Sequence, residues 1–235
     1  MGKLQNQVAI VTGAGRGIGK AIAQSLAAEG ATVVLAARTA SEIELLAHEI
    51  ISQGANAVAV VADVTNEVDV HNLVKETVKS LGRVDILVNN AGIGVFKKVM
   101  EMEVEEFDRM WNVNMRGVFL ATKAVLPHMT QAKMGHIVNI SSLAGKNTFV
   151  GGAGYAATKW ALRGFAGSLM LEVRDLNIRV TTIFPGSVDT TFSSVNLRGN
   201  KIPQPSDIAD AVLFVVTAPG RTMVSEIDVR PTNPK

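Results

Sequence analysis

The sequence lacks cysteine altogether, which excludes disulfide bonds, thiol nucleophiles and cysteine-ligated metals. Its four histidines are scattered without the spacing of metal ligands, so the sequence predicts no bound metal. No apolar run is long enough to span a membrane, and no secretory signal pattern precedes the first apolar segment. The formal net charge of +2 is too small to indicate a nucleic-acid partner. These absences favour a soluble, cytoplasmic protein with neither nucleic acid nor membrane as a partner.

What is present is apolar sequence in short, regularly interrupted segments. The chain has 235 residues, of which 47% are hydrophobic and 19% charged, so a large core can form. Short apolar runs alternate with segments of helical periodicity. This alternation predicts right-handed βαβ crossovers and a parallel sheet of about seven strands with helices on both faces. Because no linker-like change of composition interrupts it, we expect a single Rossmann-type, doubly wound α/β domain over residues 1–235.

A glycine-rich turn follows the first apolar run, Val8–Thr12, and leads into a segment of helical periodicity that ends near Gly30. Its candidate cofactor-binding residues are Gly13, Gly15, Arg16, Gly17, Ile18 and Gly19. In such a strand–turn–helix, glycines let the backbone approach a pyrophosphate, and the helix N-terminus offers free N–H groups. The pattern therefore favours a dinucleotide site over a tight turn without a ligand.

The end of the second predicted strand indicates which dinucleotide is bound. A carboxylate there would bind the ribose 2′-hydroxyl of NAD(H) and repel the 2′-phosphate of NADP(H). This chain has Ala37 followed by Arg38 instead, and Arg16 lies in the glycine turn. Two guanidinium groups and no carboxylate favour NADP(H). The alternative is that Arg38 is an ordinary surface residue.

Polar motifs also follow later predicted strands, at Asp63, Asn89–Gly92, Ser142 and Pro185–Gly186. Ligands of doubly wound folds bind outside the carboxyl ends of the parallel strands, which meet at one edge of the sheet. The spacing therefore predicts one shared site at that edge. Asn89 and Thr12 have a simpler alternative role, which is to tie strands together and to brace the turn.

Tyr155 and Lys159 are four residues apart, so on a helix they lie on one face. An ammonium group near a phenol stabilises the phenolate, which predicts a lowered pKa for Tyr155 and a role in proton transfer. Taken alone the spacing is common, and an accidental surface pair is the alternative.

Together these motifs resemble the smaller branch of the short-chain dehydrogenase/reductase family over nearly the whole chain. The turn Thr12–Gly19 is similar to the family's T-G-x-x-x-G-x-G, and Asn89–Gly92 matches its N-N-A-G. Further matches, in the family's order, are Asn114, Ser142, Tyr155 with Lys159, and Pro185–Gly186.

The resemblance implies a catalytic role for four residues. Tyr155 would donate a proton to a carbonyl oxygen in reduction, or accept one in alcohol oxidation, and Ser142 would orient that oxygen. Lys159 would bind the nicotinamide ribose and lower the tyrosine pKa. Asn114 would hold a water that links Lys159 to a proton relay.

The resemblance also implies which residues line the cofactor. Asp63 would bond the adenine amino group and Val64 would pack beside the ring. The remaining residues would line the adenosine ribose (Asn90, Ala91, Gly92) and the nicotinamide (Gly186, Val188).

The expected activity is NADPH-dependent reduction of a ketone or an aldehyde to an alcohol, with a 3-oxoacyl thioester among the candidate substrates. Among family members, 3-oxoacyl-acyl-carrier-protein reductases and NADPH carbonyl reductases are most similar. The ending Met223–Thr232 differs from the former and looks more like reductases of small ketones, hydroxy acids and aldehydes. A non-catalytic NADP(H)-binding sensor or scaffold is the main alternative. An isomerase or dehydratase of the extended branch would need a larger C-terminal domain.

Three further expectations concern the helices and one loop. A long helix over Val104–Ala132 is expected to bend near Pro127. Thr190–Lys201 is expected to form a mobile lid over the substrate, or else a static surface loop. Apolar residues left on the helices that carry Asn114 and Tyr155 predict a homo-oligomer, a tetramer or a dimer, unless they all belong to the core: Trp111, Phe119, Trp160, Phe165 and Leu169.

Overall fold

A computed structural model describes residues 2–192 and 202–232. Seven parallel strands form one sheet in the order β3-β2-β1-β4-β5-β6-β7. The strands are β1 (Val8–Thr12), β2 (Thr32–Ala37), β3 (Asn56–Val61), β4 (Ile86–Asn89), β5 (Gly135–Ile140), β6 (Ile178–Pro185) and β7 (Glu226–Val229). The predicted Rossmann-type fold is thereby confirmed.

Helices cover both faces of the sheet. They are α1 (Gly17–Ala28), α2 (Ala40–Ser52), α3 (Glu67–Leu81), α4 (Val104–Trp111), α5 (Gly117–Ala132), α6 (Ala153–Val173) and α7 (Pro205–Val216). On one face α1, α2 and α7 pack against the sheet, and on the other α3, α5 and α6 do so. Within this described part of the chain, no helix is both long and apolar enough to cross a membrane.

The strands are buried on both faces because their side chains alternate between two apolar clusters. In β1, Ala9 and Val11 face the cluster under α1, while Val8 and Ile10 face the cluster under α3 and α5. A strand covered on both faces needs apolar residues at every position, and this explains the continuous apolar runs of the sequence.

The strand order reverses between β1 and β4, which are neighbours although β2 and β3 lie between them in sequence. A crevice opens at such a reversal, outside the carboxyl ends of the strands. The glycine turn after β1 and the Asn89–Gly92 segment after β4 meet there.

Two predictions about the helices were wrong in detail. The long helix is interrupted by a π-helical segment, Asn112–Arg116, whereas Pro127 lies inside α5 without ending it. Leu169 is buried and Phe165 partly buried in the core, so neither contributes to a free apolar face. Trp111, Phe119 and Trp160 are, as predicted, exposed, at 42%, 46% and 45%.

Candidate active site

The glycine turn after β1 is packed so tightly that side chains are excluded from it. Gly13 has a φ of 64°, and a Cβ there would lie 2.9 Å from the Cα of Ala91. A Cβ on Gly19 would lie 2.2 Å from the carbonyl oxygen of Gly13. Gly17 also has a positive φ, 54°, at the start of α1. The turn therefore requires glycine for packing at Gly19 and for conformation at Gly13 and Gly17.

The N-terminus of α1 has no side-chain cap within the described part of the chain. Arg16 occupies the cap position with its own side chain exposed, and no acidic residue lies in the first turn. By contrast, α3 is capped by the Asn66 side chain, which accepts from two backbone N–H groups. The free N–H groups and positive end of α1 suit an anionic ligand.

Asn90 and Thr12 brace this turn from the β4 side. The amide of Asn90 donates to the carbonyls of Thr12 and Gly13, at 2.9 and 3.0 Å. The Thr12 hydroxyl donates to Val88 and accepts from the backbone of Asn90 and Ala91. The Nδ2 group of Asn90 is thus committed to the turn. The ribose-lining role implied for this segment would fall to the backbone of Asn90–Gly92 and to Asn90 Oδ1, because the two bonds to the turn use the Nδ2 protons.

Asn89 has the structural role that the sequence left open for it. Its amide donates to the side chains of Asn139 on β5 and Thr122 on α5, at 2.9 and 3.3 Å. These buried bonds join two strands and a helix beneath the site.

Arg38 and Asp63, two of the residues predicted to bind the adenosine part of the cofactor, lie close together. The Arg38 guanidinium is 71% exposed, with Nη1 3.9 Å from Asp63 Oδ2. Asp63 Oδ1 already accepts from the backbone and hydroxyl of Thr65, so Oδ2 is the oxygen left for a ligand. Val64 packs against Gly117, where an added Cβ would lie 2.9 Å from its Cγ2. A cavity of about 330 Å³ adjoins these residues, and α4 contributes Glu105, Asp108 and Arg109 to its lining.

Tyr155 and Lys159 lie on the first turns of α6, and both are buried, at 7% and 5% exposed. Lys159 Nζ donates to the carbonyl of Ile140 at 3.1 Å and lies 5.7 Å from the centre of the Tyr155 ring. Burial raises the pKa of Tyr155 to about 12, although its hydrogen bond with Ser142 acts in the opposite direction. Burial also lowers the pKa of Lys159 to about 8.

The predicted lowering of the Tyr155 pKa is therefore wrong for the chain by itself. Burial destabilises the phenolate of Tyr155 by more than its neighbours stabilise it. Burial also disfavours the charged form of Lys159. At neutral pH the phenol is protonated.

Ser142 follows β5 and lies within hydrogen-bond reach of Tyr155. Its side chain hydrogen-bonds to the phenol and also accepts from the backbone N–H of Ala144, at 3.1 Å. That second bond caps a short 3₁₀ turn, Leu143–Gly145. The orientation of the serine hydroxyl is therefore coupled to this turn.

Asn114 lies in the π-helical segment and is fully buried. Its Oδ1 accepts from the backbone of Ile93, and its Nδ2 donates to the Ile93 carbonyl and to Thr158 Oγ1, at 2.9 to 3.0 Å. Thr158 in turn donates to the Tyr155 carbonyl. Both Nδ2 protons are used in these bonds, whereas Oδ1 can accept a second one. A water could therefore be held by Oδ1 or by the backbone carbonyl of Asn114, whose helical bonding is altered by the π segment.

Gly92 lies beside the catalytic candidates, and Gly186 and Val188 are the residues predicted to line the nicotinamide. A Cβ on Gly92 would lie 3.4 Å from Asn114 Oδ1 and 3.8 Å from Lys159 Nζ, so this glycine leaves space directly in front of both groups. Gly186 is held by a backbone bond to Val229 and lies between Leu143 and Pro231. Val188 is partly buried against the core under α1.

Two phenylalanines lie against Tyr155, and a third extends the group; of these, sequence reasoning placed only Phe192, within the predicted lid. Phe96 contacts the tyrosine edge-on with ring centres 5.3 Å apart, and the ring centre of Phe192 lies 6.0 Å from that of Tyr155. Phe149 extends this aromatic wall, 5.9 Å from Phe96. Phe96 and Phe149 lie in connecting segments without periodicity, so no sequence signal assigns these two to the site. Thr158 was also missed, although its position three residues after Tyr155 on a helix could have indicated it.

Among the described residues, no group of three His, Asp or Glu side chains is placed to hold a metal ion. The predicted lid, Thr190–Lys201, lies outside the described residues from Ser193 onward.

Comparison with known proteins gives a consistent result. The family model described as short chain dehydrogenase matches residues 7–200. An uncharacterized oxidoreductase of Staphylococcus aureus strain USA300 is 38% identical over 229 residues, which cover 97% of this chain and 98% of the relative.

Two solved structures are similar over almost their full length. A metagenomic short-chain oxidoreductase in complex with NADP is 40% identical with a TM-score of 0.88, covering 98% of this chain and 99% of the other. A 7α-hydroxysteroid dehydrogenase complexed with NADH and 7-oxo glycochenodeoxycholic acid is 33% identical with a TM-score of 0.92, covering 97% and 94%.

Proposed function

Because this chain belongs to the short-chain dehydrogenase family, we propose that it is an NADP(H)-dependent oxidoreductase that reduces a ketone or an aldehyde to an alcohol. The observation that carries the proposal is the convergence of Ser142, Tyr155 and Lys159 at the same sheet edge as an uncapped, glycine-rich helix N-terminus. The serine, tyrosine and lysine suit the protonation of a substrate oxygen, and the helix N-terminus suits the binding of a dinucleotide.

The residues present fit a nicotinamide dinucleotide. The α1 N-terminus would hold the pyrophosphate, Asp63 and Val64 the adenine, and Gly186 with Val188 the nicotinamide. The space in front of Gly92 would admit the ribose to Lys159, whose Nζ has one protein partner among the described residues and two further protons to donate. When bound, the cofactor would supply a hydride to the carbonyl carbon.

In this mechanism Tyr155 acts as the general acid. Its raised pKa keeps the phenol protonated at neutral pH, which is the form needed to give a proton to the carbonyl oxygen. Ser142 donates a hydrogen bond to that oxygen as negative charge develops on it. The charge of Lys159 beside the phenol would stabilise the phenolate that remains, and Asn114 fixes Thr158 and the Ile93 segment around the pair.

The preference for NADP(H) rests on Arg38 and Arg16. Both guanidinium groups are exposed at the adenosine end of the crevice, where β2 ends without a carboxylate of its own. The NADP bound by the metagenomic relative supports the same assignment. The NADH bound by the hydroxysteroid dehydrogenase shows that related chains use either dinucleotide.

The substrate that fits best has an apolar group beside its carbonyl. Phe96, Phe149 and Phe192 line the approach to Tyr155, together with Val95 and Met102, which pack around the tyrosine. An acyl thioester remains a candidate because such a wall accepts an alkyl chain as well as a ring.

We also propose that the protein is a homo-oligomer. One stripe of exposed, uncharged residues runs along α6 at alternating intervals of four and three residues: Ala153, Ala157, Trp160, Gly164, Gly167 and Leu171. Such spacing packs against another helix, and the glycines permit close approach. A cavity of about 570 Å³ adjoins Trp160 and Phe149 on this side of α6 rather than Tyr155. Light scattering on Trp160→Glu, which should shift a dimer or tetramer to monomer, tests this.

The activity is tested by assaying the purified protein with ketones, aldehydes, diketones and acetoacetyl thioesters, and with NADPH and NADH separately. We expect NADPH oxidation with equal formation of alcohol for at least one apolar carbonyl. If NADPH binds but no carbonyl is reduced, a sensor or scaffold becomes the better description.

A further inference from the structure

Five charged side chains are joined by ion pairs at the edge of the sheet. Among the described residues Arg230 pairs only with Asp228, at 3.0 Å, and we call the other four the β7 clamp: Lys146, Arg163, Glu226 and Asp228. Lys146 Nζ lies 2.8 Å from Glu226 Oε2 and 2.7 Å from Asp228 Oδ1. Arg163 Nε donates to the other oxygen of Glu226, at 2.7 Å. One carboxylate, Glu226, therefore binds both cations.

The two cations belong to the two elements that carry the catalytic groups. Lys146 directly follows the 3₁₀ turn that Ser142 caps. Arg163 lies one helical turn after Lys159 on α6. Glu226 thus connects the serine's turn with the helix of the tyrosine and the lysine.

The same turn is fixed on its other side by close packing. A Cβ on Gly145 would lie 2.8 Å from the carbonyl oxygen of Lys159 and 3.0 Å from Ser141 Oγ. The turn consequently lies directly on the backbone of α6, with no room to approach further. Lys146 holds it from the side of β7, so that packing and ion pairing together determine where Ser142 lies.

Lys146 is better anchored than an ordinary surface lysine. Its side chain is 20% exposed, and its Nζ lies 4.1 Å from the ring centre of Phe184, which is fully buried. Exposed single ion pairs contribute about 0–1 kcal/mol, mainly because two flexible side chains must be ordered. Here the aromatic ring and two carboxylates hold one ammonium, so the geometry is defined from three directions.

We propose that Glu226 and Asp228 are positioning residues, which act through Lys146 and Arg163 to set the Ser142 hydroxyl against the Tyr155 hydroxyl. The kinetic consequence rests on the proposed function, whereas the tethering of the turn does not. Misplacement of a catalytic group by about 1 Å can cost as much as 100-fold in rate, so a loosened turn should lower kcat and leave NADPH binding intact.

The test compares four variants of the full-length protein. Lys146→Met and Glu226→Gln break the clamp, and Lys146→Arg preserves its charge. Lys20→Met is the control, because it breaks an equally short ion pair, Lys20 to Glu49 at 2.7 Å, between α1 and α2. The readouts are kcat, the Kd of NADPH, and hydrogen exchange of the backbone amides of residues 144–147, each of which is hydrogen-bonded within this turn.

We expect Lys146→Met and Glu226→Gln to lower kcat about 10- to 100-fold and to speed exchange of those amides, with the Kd of NADPH within about twofold of wild type. Lys146→Arg should recover most of kcat and of the protection, and Lys20→Met should change neither. Unchanged kcat and exchange in the clamp variants would overturn the proposal, as would a loss that Lys146→Arg fails to recover. If the wild type reduces no carbonyl, the proposed function fails, and the exchange data alone still decide whether the clamp holds the turn.

Discussion

The half of the site that we assign to the nucleotide, around Gly13–Gly19 and Asn90, is held together by backbone and glycine. The half that we assign to catalysis, around Ser142, Tyr155 and Lys159, combines close packing at Gly145 with ion pairs of long side chains. We call them the nucleotide half and the catalytic half. Gly13 and Gly19 lie so close to the β4 segment that even a methyl group has no room. The turn that Ser142 caps packs on α6 at Gly145 and is joined to β7 on its other side through the ion pairs of Lys146. A single added methyl group should therefore cause a large loss of nucleotide binding. Substitutions in the catalytic half should lower activity by graded amounts.

The largest effect on NADPH binding is expected from Gly19→Ala in the nucleotide half. Its Cβ would lie 2.2 Å from the Gly13 carbonyl oxygen and 2.5 Å from Asn90 Nδ2, so backbone must move. We expect the Kd of NADPH to rise about 100-fold or more, which corresponds to about 2.8 kcal/mol. Fluorescence titration measures this, and Gly220→Ala is the control because its Cβ meets no atom within 4 Å. Unaltered binding by Gly19→Ala would contradict the close packing.

A smaller loss of NADPH affinity is expected from Arg38→Asp. A charge-assisted contact with the 2′-phosphate is worth about 1.5–3 kcal/mol, so NADPH should bind about 10- to 100-fold more weakly, with NADH much less affected. Lys79→Asp makes the same change of charge on α3 at a side chain that is 73% exposed. Equal weakening of NADPH and NADH would remove the 2′-phosphate argument.

Thr158→Val should have a graded effect on the catalytic half. It removes the hydroxyl that accepts from Asn114 and donates to the Tyr155 carbonyl, and leaves a buried amide proton unpaired. Such a loss costs about 1–3 kcal/mol. We expect a lower melting temperature and a kcat reduced about tenfold, with NADPH binding retained; Thr158→Ser, which keeps the hydroxyl, should stay near wild type. A kcat that is insensitive to Thr158→Val would show that Asn114 needs no partner.

Lowering the pH should break the ion pairs of the β7 clamp and so destabilise the catalytic half. This is the smallest effect that we predict. The pKa values of Glu226 and Asp228 are both lowered. Burial acts to raise them, but it is outweighed by hydrogen bonds from Arg163 and Lys146 to Glu226, and from Lys146 and Arg230 to Asp228. A carboxylate whose pKa is lowered in the folded protein stabilises the fold fully at pH values above its ordinary pKa, which is 4.5 for Glu226 and 3.8 for Asp228. This stabilisation is lost as the pH falls through the lowered pKa. The melting temperatures of wild type and Glu226→Gln should differ at pH 7 and converge in acid. A constant difference would contradict the linkage.

Much of the fold could be predicted from sequence because burial on both faces requires continuous apolar strands, and glycine marks the turns. The convergence of the motifs after β1, β4, β5 and β6 follows from parallel strand direction alone. The limits of helices were less predictable: the irregularity of the long helix lies at Asn112–Arg116 rather than near Pro127.

The contacts within the site were harder to predict, for physical reasons. Which way Asn90 and Asn114 turn depends on partners far away in sequence, and both prove to be bonded to protein atoms. The direction of the Tyr155 pKa shift depends on how burial compares with nearby charge, which spacing cannot show. The aromatic wall and the β7 clamp join segments that only the folded sheet brings together.

The most direct test of the central claim is Tyr155→Phe, which removes one hydroxyl and keeps the ring that packs against Phe96 and Phe192. We predict that kcat for carbonyl reduction falls about 100- to 10,000-fold, the usual contribution of a general acid, while the Kd of NADPH and the melting temperature stay near wild type. A Tyr155→Phe protein whose kcat remains within a few-fold of wild type would contradict the account.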